Sequence, residues 1–138
     1  MKAVVLVSLV LLGFAPAQAS AMAIWATDAP DHVGQTATVV GKASVQRMPS
    51  GEIYLDLQGR GDDAPLSAYV SRWNASRFPD IAGLDGQWVA IRGPIGAFRY
   101  RPEIFLTDPG QIAVVDARPE PRNNSEPRPL RIHVLDAH

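Results

Sequence analysis

The sequence predicts an all-β fold, a single small barrel of five strands with a short helical element between the third and the fourth. Three observations predict it. Apolar and polar residues alternate over short runs bounded by Gly, Pro, Ser and Asp, the pattern of half-buried strands. A switch to a three-residue period, at Phe78, Ile81 and Leu84, falls between the third and fourth runs. The stretch 86–112, GQWVAIRGPIGAFRYRPEIFLTDPGQI, reads as two apolar runs joined by a tip of two arginines and two aromatics, ending in an Asp-Pro-Gly turn. Such a hairpin closes a small barrel and leaves its tip free to carry stacking and charged side chains.

In order along the chain, the first strand covers 35–47 and has Gly41 at its middle, where a bend lets one strand serve two sides of a barrel. After Met48-Pro49-Ser50-Gly51, the second strand sets Ile53, Leu55 and Leu57 inward and Tyr54 and Asp56 outward. A polar loop over 59–65 leads to the third strand, with Leu66, Ala68 and Val70 inward and Ser67, Tyr69 and Ser71 outward. Helical turns broken by Pro79 and Gly83 follow, and Trp73 and Phe78 are expected to plug one end of the barrel. The fourth strand is 87–92, the fifth 103–107, and 111–115 adds a last extended piece.

Both ends read as separable from this domain, which is set at 32–116. Residues 1–19 combine Lys2, an uncharged run from Ala3 to Ala15 and the small-x-small pattern Ala17-Gln18-Ala19, the three parts of a signal peptide. The run is well short of the ~20 residues of a spanning helix, so a cleaved, periplasmic or secreted protein is expected and not a membrane-spanning one. The same pattern recurs at Ala21 and Ala23. Residues 20–31 read as a linker. Prolines and charges dominate 118–129, so 117–138 is expected to be a disordered tail, with an edge strand at 130–135 as the alternative.

Composition narrows the chemistry. Removing Lys2 with the first 19 residues leaves 12 basic against 14 acidic side chains, a balance that gives no broad attraction to phosphate. Cys is absent, which excludes disulfides, thiolate metal sites and a cysteine nucleophile.

The segments HVGQTATVVGKASVQRMPSGEIYLDLQG and LDGQWVAIRGPIGAFRYRPEIFLTDPGQIAVV carry a family resemblance. Val33-Gly34-Gln35 opens the first strand, Gly86-Gln87 opens the fourth, and Pro102-Glu103-Ile104, Asp108-Pro109 and Gln111-Ile112 end the domain. In these features the chain resembles bacterial OB-fold proteins grouped with nucleic-acid-binding, tRNA-anticodon-type domains, over about residues 32–115. The resemblance implies a five-stranded Greek-key barrel with a ligand surface on its second and third strands, flanked by the first-to-second and fourth-to-fifth loops.

On this sequence that surface holds Tyr54 and Tyr69 on the sheet, Arg47 at one loop, and Phe98, Arg99, Tyr100 and Arg101 at the other. Aromatic faces stack on bases or sugar rings and guanidinium groups hold phosphate. The plainer alternative makes the tyrosines a cross-strand pair and the arginines a soluble tip. His32, His133 and His138 lie outside the strands with no nucleophile beside them in sequence, and Asp62-Asp63 lacks the surroundings of a calcium loop. Arg60-Gly61-Asp62 matches a cell-adhesion tripeptide, which is common in loops by chance, and no run matches the acidic and arginine residues of micrococcal-type nucleases. The expected function is therefore non-enzymatic binding, without cofactor or metal. Its expected ligand is a single-stranded nucleic acid or another extended polymer, with an envelope protein or an oligosaccharide as the alternative partner.

Overall fold

A computed structural model of the chain describes residues 22–115 and 132–134. Its strands are β1 (Met22–Trp25), β2 (Thr36–Arg47), β3 (Ile53–Leu57), β4 (Leu66–Val70), β5 (Trp88–Pro94), β6 (Gly96–Phe98), β7 (Arg101–Phe105), β8 (Ile112–Val115) and β9 (Ile132–Val134). They hydrogen-bond in the order β6-β7-β4-β3-β2-β5-β8-β9, with β1 added parallel to β2.

The topology is that of the OB barrel, an all-β mixed sheet that curls round without closing fully. β2 pairs with β5 over Thr36 to Lys42 and with β3 over Ala43 to Arg47, so it serves two sides as its sequence implied. The change of partner falls between Lys42 and Ala43, just after Gly41, where an added Cβ would stand 3.0 Å from both Ala26 Cβ and Leu57 Cβ. A larger residue there would press on both neighbours. β4 and β7 pair in parallel, and β5 runs through Ile95 directly into β6, which pairs back on β7. The two ends of the barrel sheet are thus joined by the chain itself.

No ladder joins β5 to β7 directly, and side chains bridge the gap. Gln111 Nε2 donates to Arg92 O (3.0 Å) and to Phe105 O (3.2 Å), while its Oε1 accepts from Thr107 N (2.8 Å) and Asp108 N (3.0 Å). Nearby, an added Cβ on Gly93 would meet Ile104 Cγ2 at 2.7 Å, so the strands cross in close contact.

Inward residues behave as the alternation required. Ile53, Leu55 and Leu57 of β3, Leu66, Ala68 and Val70 of β4, and Val89, Ile91 and Ile104 are all fully buried in one cluster. Each large aliphatic side chain so placed contributes about 1.5–3 kcal/mol by leaving water. A second, smaller cluster of Val40, Ala90 and Val115 packs with Trp25 and Trp88, whose rings meet edge to face at 6.5 Å.

Three expectations change. Residues 20–31 are not simply a linker: β1 pairs with β2, a 3₁₀ segment occupies Ala26–His32, and Ile24, Ala26 and Ala29 join the core. Phe78 plugs the barrel as expected, but Trp73 does not. The turn closed by Asn74 N and Ser71 O sets Trp73 77% exposed, with the Arg72 guanidinium 4.3 Å from its ring centre. At the C-terminal end, Ile132–Val134 pairs antiparallel with β8, so the edge-strand alternative describes those residues better than a disordered tail does. The remainder of 117–138, and the expected signal peptide at 1–19, lie outside the described residues. The helical element between the third and fourth main strands is a pair of 3₁₀ turns, Ala75–Arg77 and Ile81–Leu84.

Candidate ligand-binding face

The outward residues of β3, β4 and β7 are aligned by register into rows. Tyr54 pairs with Tyr69 and Tyr69 with Phe105, so three rings lie side by side across three strands. The next row is Asp56, Ser67, Glu103 and Gly96, from β3, β4, β7 and β6. Phe98 and Arg101 form the row beyond.

Within the ring row, Tyr54 and Tyr69 have centroids 5.3 Å apart and planes tilted by 52°, and Tyr69 and Phe105 are 5.4 Å apart at 85°. Aromatic pairs in these geometries add about 0.5–1.5 kcal/mol beyond their burial. The cross-strand pairing expected of the tyrosines is therefore present, and it is part of a larger surface. Together Tyr54, Tyr69, Phe98, Phe105 and Glu103 line a trough of about 210 Å³.

Polar groups beneath and beside the rings differ in how they are held. Asp56, buried in its row, accepts from Ser67 Oγ and from Gly61 N (2.8 Å), which ties the polar loop to the sheet. Glu103 is only 4% exposed, its main chain lies between β4 and β6, and its side chain lines the trough. Burial holds its carboxyl above the usual glutamate range, and the positive charge of Arg101 draws it part of the way back. The Tyr54 hydroxyl is likewise raised, first by burial and then by Glu103, and so stays a neutral donor.

The hairpin tip is built under strain. Arg99 and Tyr100 have φ of +49° and +67°, the left-handed region that two-residue hairpin turns require and that Asn-Gly fills most readily. Tyr100 is fully exposed, and the Arg99 guanidinium lies over the Phe98 ring at 5.3 Å. Arg101 is committed elsewhere, since its Nη1 donates to Asp62 Oδ1 at 3.0 Å.

The structure thus brings together Tyr54, Tyr69, Phe98, Arg99, Tyr100 and Arg101, and leaves Arg47 apart. Register pairs Gln46 with Tyr54, so Arg47 falls on the opposite side of β2. Sequence reasoning missed Glu103 and Phe105. Their signal was the alternation Arg101, Glu103, Phe105, which faces them outward together once β7 is laid beside β4. A second, more open hollow of about 480 Å³ lies at the bend of β2, lined by Lys42, Ser44, Arg60 and Asp85 among others. Its groups are engaged locally: Asp85 Oδ1 accepts from Val45 N and Arg60 Nε donates to Ser44 Oγ.

No protein-family model and no curated protein matches the chain. Solved structures similar to it include a putative aspartyl-tRNA synthetase from Leishmania major Friedlin, at 12% identity and a TM-score of 0.45, covering 72% of this chain and 22% of that one. Another is the aspartyl tRNA synthetase from Entamoeba histolytica, at 18% identity and a TM-score of 0.49, covering 76% of this chain and 23% of that one. The chain spans less than a quarter of either structure.

Proposed function

We propose that the chain is a non-enzymatic binding module whose ligand face is the outer surface of β3, β4 and β7 with the β6–β7 tip. The aromatic row Tyr54, Tyr69 and Phe105, continued by Phe98, carries the reading. It offers rings, guanidinium groups and one carboxylate, a set suited to holding a ligand. The leading ligand is an extended polymer gripped through its rings, with single-stranded nucleic acid first: stacking is worth about 1–3 kcal/mol per base and tolerates any sequence.

Charge plays a small part in this reading. Arg101 is paired with Asp62 and Arg47 lies off the face, which leaves Arg99 as the chief phosphate contact. A second reading, an envelope protein or oligosaccharide partner, draws its support from the carboxylate of Glu103 in the middle of the face.

Export belongs to the same proposal and rests on the sequence of residues 1–19. Because β1 begins at Met22, cleavage after Ala19 or Ala21 keeps the strand whole, whereas cleavage after Ala23 removes half of it. Mass spectrometry of the secreted or periplasmic protein is expected to find Ser20 or Met22 first. An intact Met1 on correctly exported protein contradicts the proposal.

Fluorescence anisotropy with labelled single-stranded oligonucleotides tests the binding reading. Weak affinity is expected, with a salt slope of about −0.7 for one phosphate contact on a single strand. Tyr100→Ala should weaken binding and leave the slope unchanged. An absence of binding at low salt removes nucleic acid and leaves the second reading.

A further inference from the structure

We propose that the trough over Glu103 is a site for an organic cation, an alkylammonium or quaternary ammonium group, held among the rings of Tyr54, Tyr69, Phe98 and Phe105 against the Glu103 carboxylate. The inference rests on the reading that this surface is the ligand face, and it names the chemical group taken at its centre.

Ring geometry is the first argument. Adjacent rings here are turned by 52° and 85°, so beside faces open to stacking they present faces and edges round one hollow. A compact, roughly spherical cation touches several such rings at once, and each ring face it meets is the negative end of a quadrupole. The chain supplies its own example on this wall, with the Arg99 guanidinium over Phe98.

The second argument is the carboxylate. Glu103 is more than nine-tenths buried and lines the trough. A carboxylate lining an aromatic trough offers a cation a partner of opposite sign where the surrounding rings keep much of the water away. Arg101 acts on Glu103 through its charge, but its Nη1 donates to Asp62 Oδ1 and it does not line the trough. Opposite Glu103 stands Gly96, where an added Cβ would touch only the Glu103 backbone oxygen at 3.7 Å, so the space beside the carboxylate is unfilled. A bound cation would favour the ionised carboxylate that burial disfavours.

The occupant can be a free amine or an ammonium side chain on a larger partner, and both present the same group. The test follows the ring resonances of Tyr54, Tyr69 and Phe105 by NMR during titration of the protein with choline and with its neutral isostere, in which carbon replaces nitrogen. Choline should shift these resonances saturably and the isostere should bind about ten-fold more weakly or worse. Glu103→Gln should weaken choline by a similar factor of about ten while the methyl resonances of Leu55 and Ile104 stay in place. A trimethyl-lysine peptide binding more tightly than choline assigns the site to a polymer side chain, and equal binding assigns it to a free amine; both support the proposal. Equal binding of the isostere, undiminished choline binding by Glu103→Gln, or shifts confined to Trp25 and Trp88 would overturn it. An oligonucleotide titration of a separate sample is read additionally at Arg99 and Tyr100, which choline should leave unmoved, so loss of the nucleic-acid reading leaves the cation result standing.

Discussion

At the scale of single residues, Glu103 and the tip pair Arg99 and Tyr100 depart most from what folding alone would select. Glu103 has its carboxyl raised in the folded state, so the folded protein binds that proton more tightly than the unfolded chain. Stability from this group is therefore present below the unfolded glutamate value and is lost as pH rises through the folded one. Arg101, Tyr54, Tyr69, Asp56 and Asp62 are the other titratable groups on this part of the face, and Arg101 moderates the effect. Glu103→Gln should accordingly raise Tm at neutral pH and have little effect near pH 4, which thermal melts across that range will check. A variant less stable at neutral pH would mean that the carboxylate has a stabilising partner.

The tip makes a second residue-scale prediction. Placing Asn at 99 and Gly at 100 relieves two left-handed residues, each costing about 1–2 kcal/mol, so the double variant should be more stable by roughly 1 kcal/mol or more. The same variant should bind the proposed polymer more weakly, since Tyr100 and Arg99 are its outermost contacts. Denaturant melts and anisotropy on one sample read both effects. Stability gained without loss of binding would make the tip a solubility feature only.

Elements were legible in the sequence to the extent that their signals were local. Alternation marked β2, β3, β4 and β5 closely, because an inward row of Ile, Leu and Val identifies a half-buried strand from a few consecutive residues. β1 escaped because Met22–Trp25 is short and adds in parallel to β2, and nothing in its own alternation names that partner. The fifth strand was placed two residues late because Arg101 and Pro102 resemble loop, yet Pro102 is buried and pairs with Ala97. Glu103 and Phe105 were missed for a related reason. The parallel register of β7 on β4 joins residues more than thirty positions apart, and only that register sets Phe105 beside Tyr69.

Closure of the barrel can be tested at this scale. Gln111 makes four side-chain hydrogen bonds to main-chain groups of β5, β7 and the turn after it, and net contributions of about 0.5–1.5 kcal/mol each make Gln111→Ala costly by roughly 2–6 kcal/mol. Urea denaturation should show this loss. A cost under about 0.5 kcal/mol would mean that the strands are held by packing at Gly93 and Ile104 alone.

As a whole, the molecule divides into a scaffold and a face. The scaffold is a β barrel whose aliphatic core was readable from pattern, and the face is a set of outward rows whose composition was readable only in part. Tyr54, Tyr69 and the 98–101 tip were found because aromatics and arginines stand out on strands and loops. Arg47 was misplaced because a strand-end residue changes side with a single step of register. Losing Arg47 and Arg101 from the free charge of the face turns the expected ligand grip from phosphate toward rings.

Chemical-shift mapping of the isotopically labelled protein with a single-stranded oligothymidylate at low salt tests this central claim most directly. Saturable shifts are expected to cluster at Tyr54, Tyr69, Phe98, Tyr100 and Phe105, with Trp25 and Trp88 unmoved. Shifts centred on those tryptophans or on the hollow at Lys42 and Arg60, with the aromatic row silent, would contradict it.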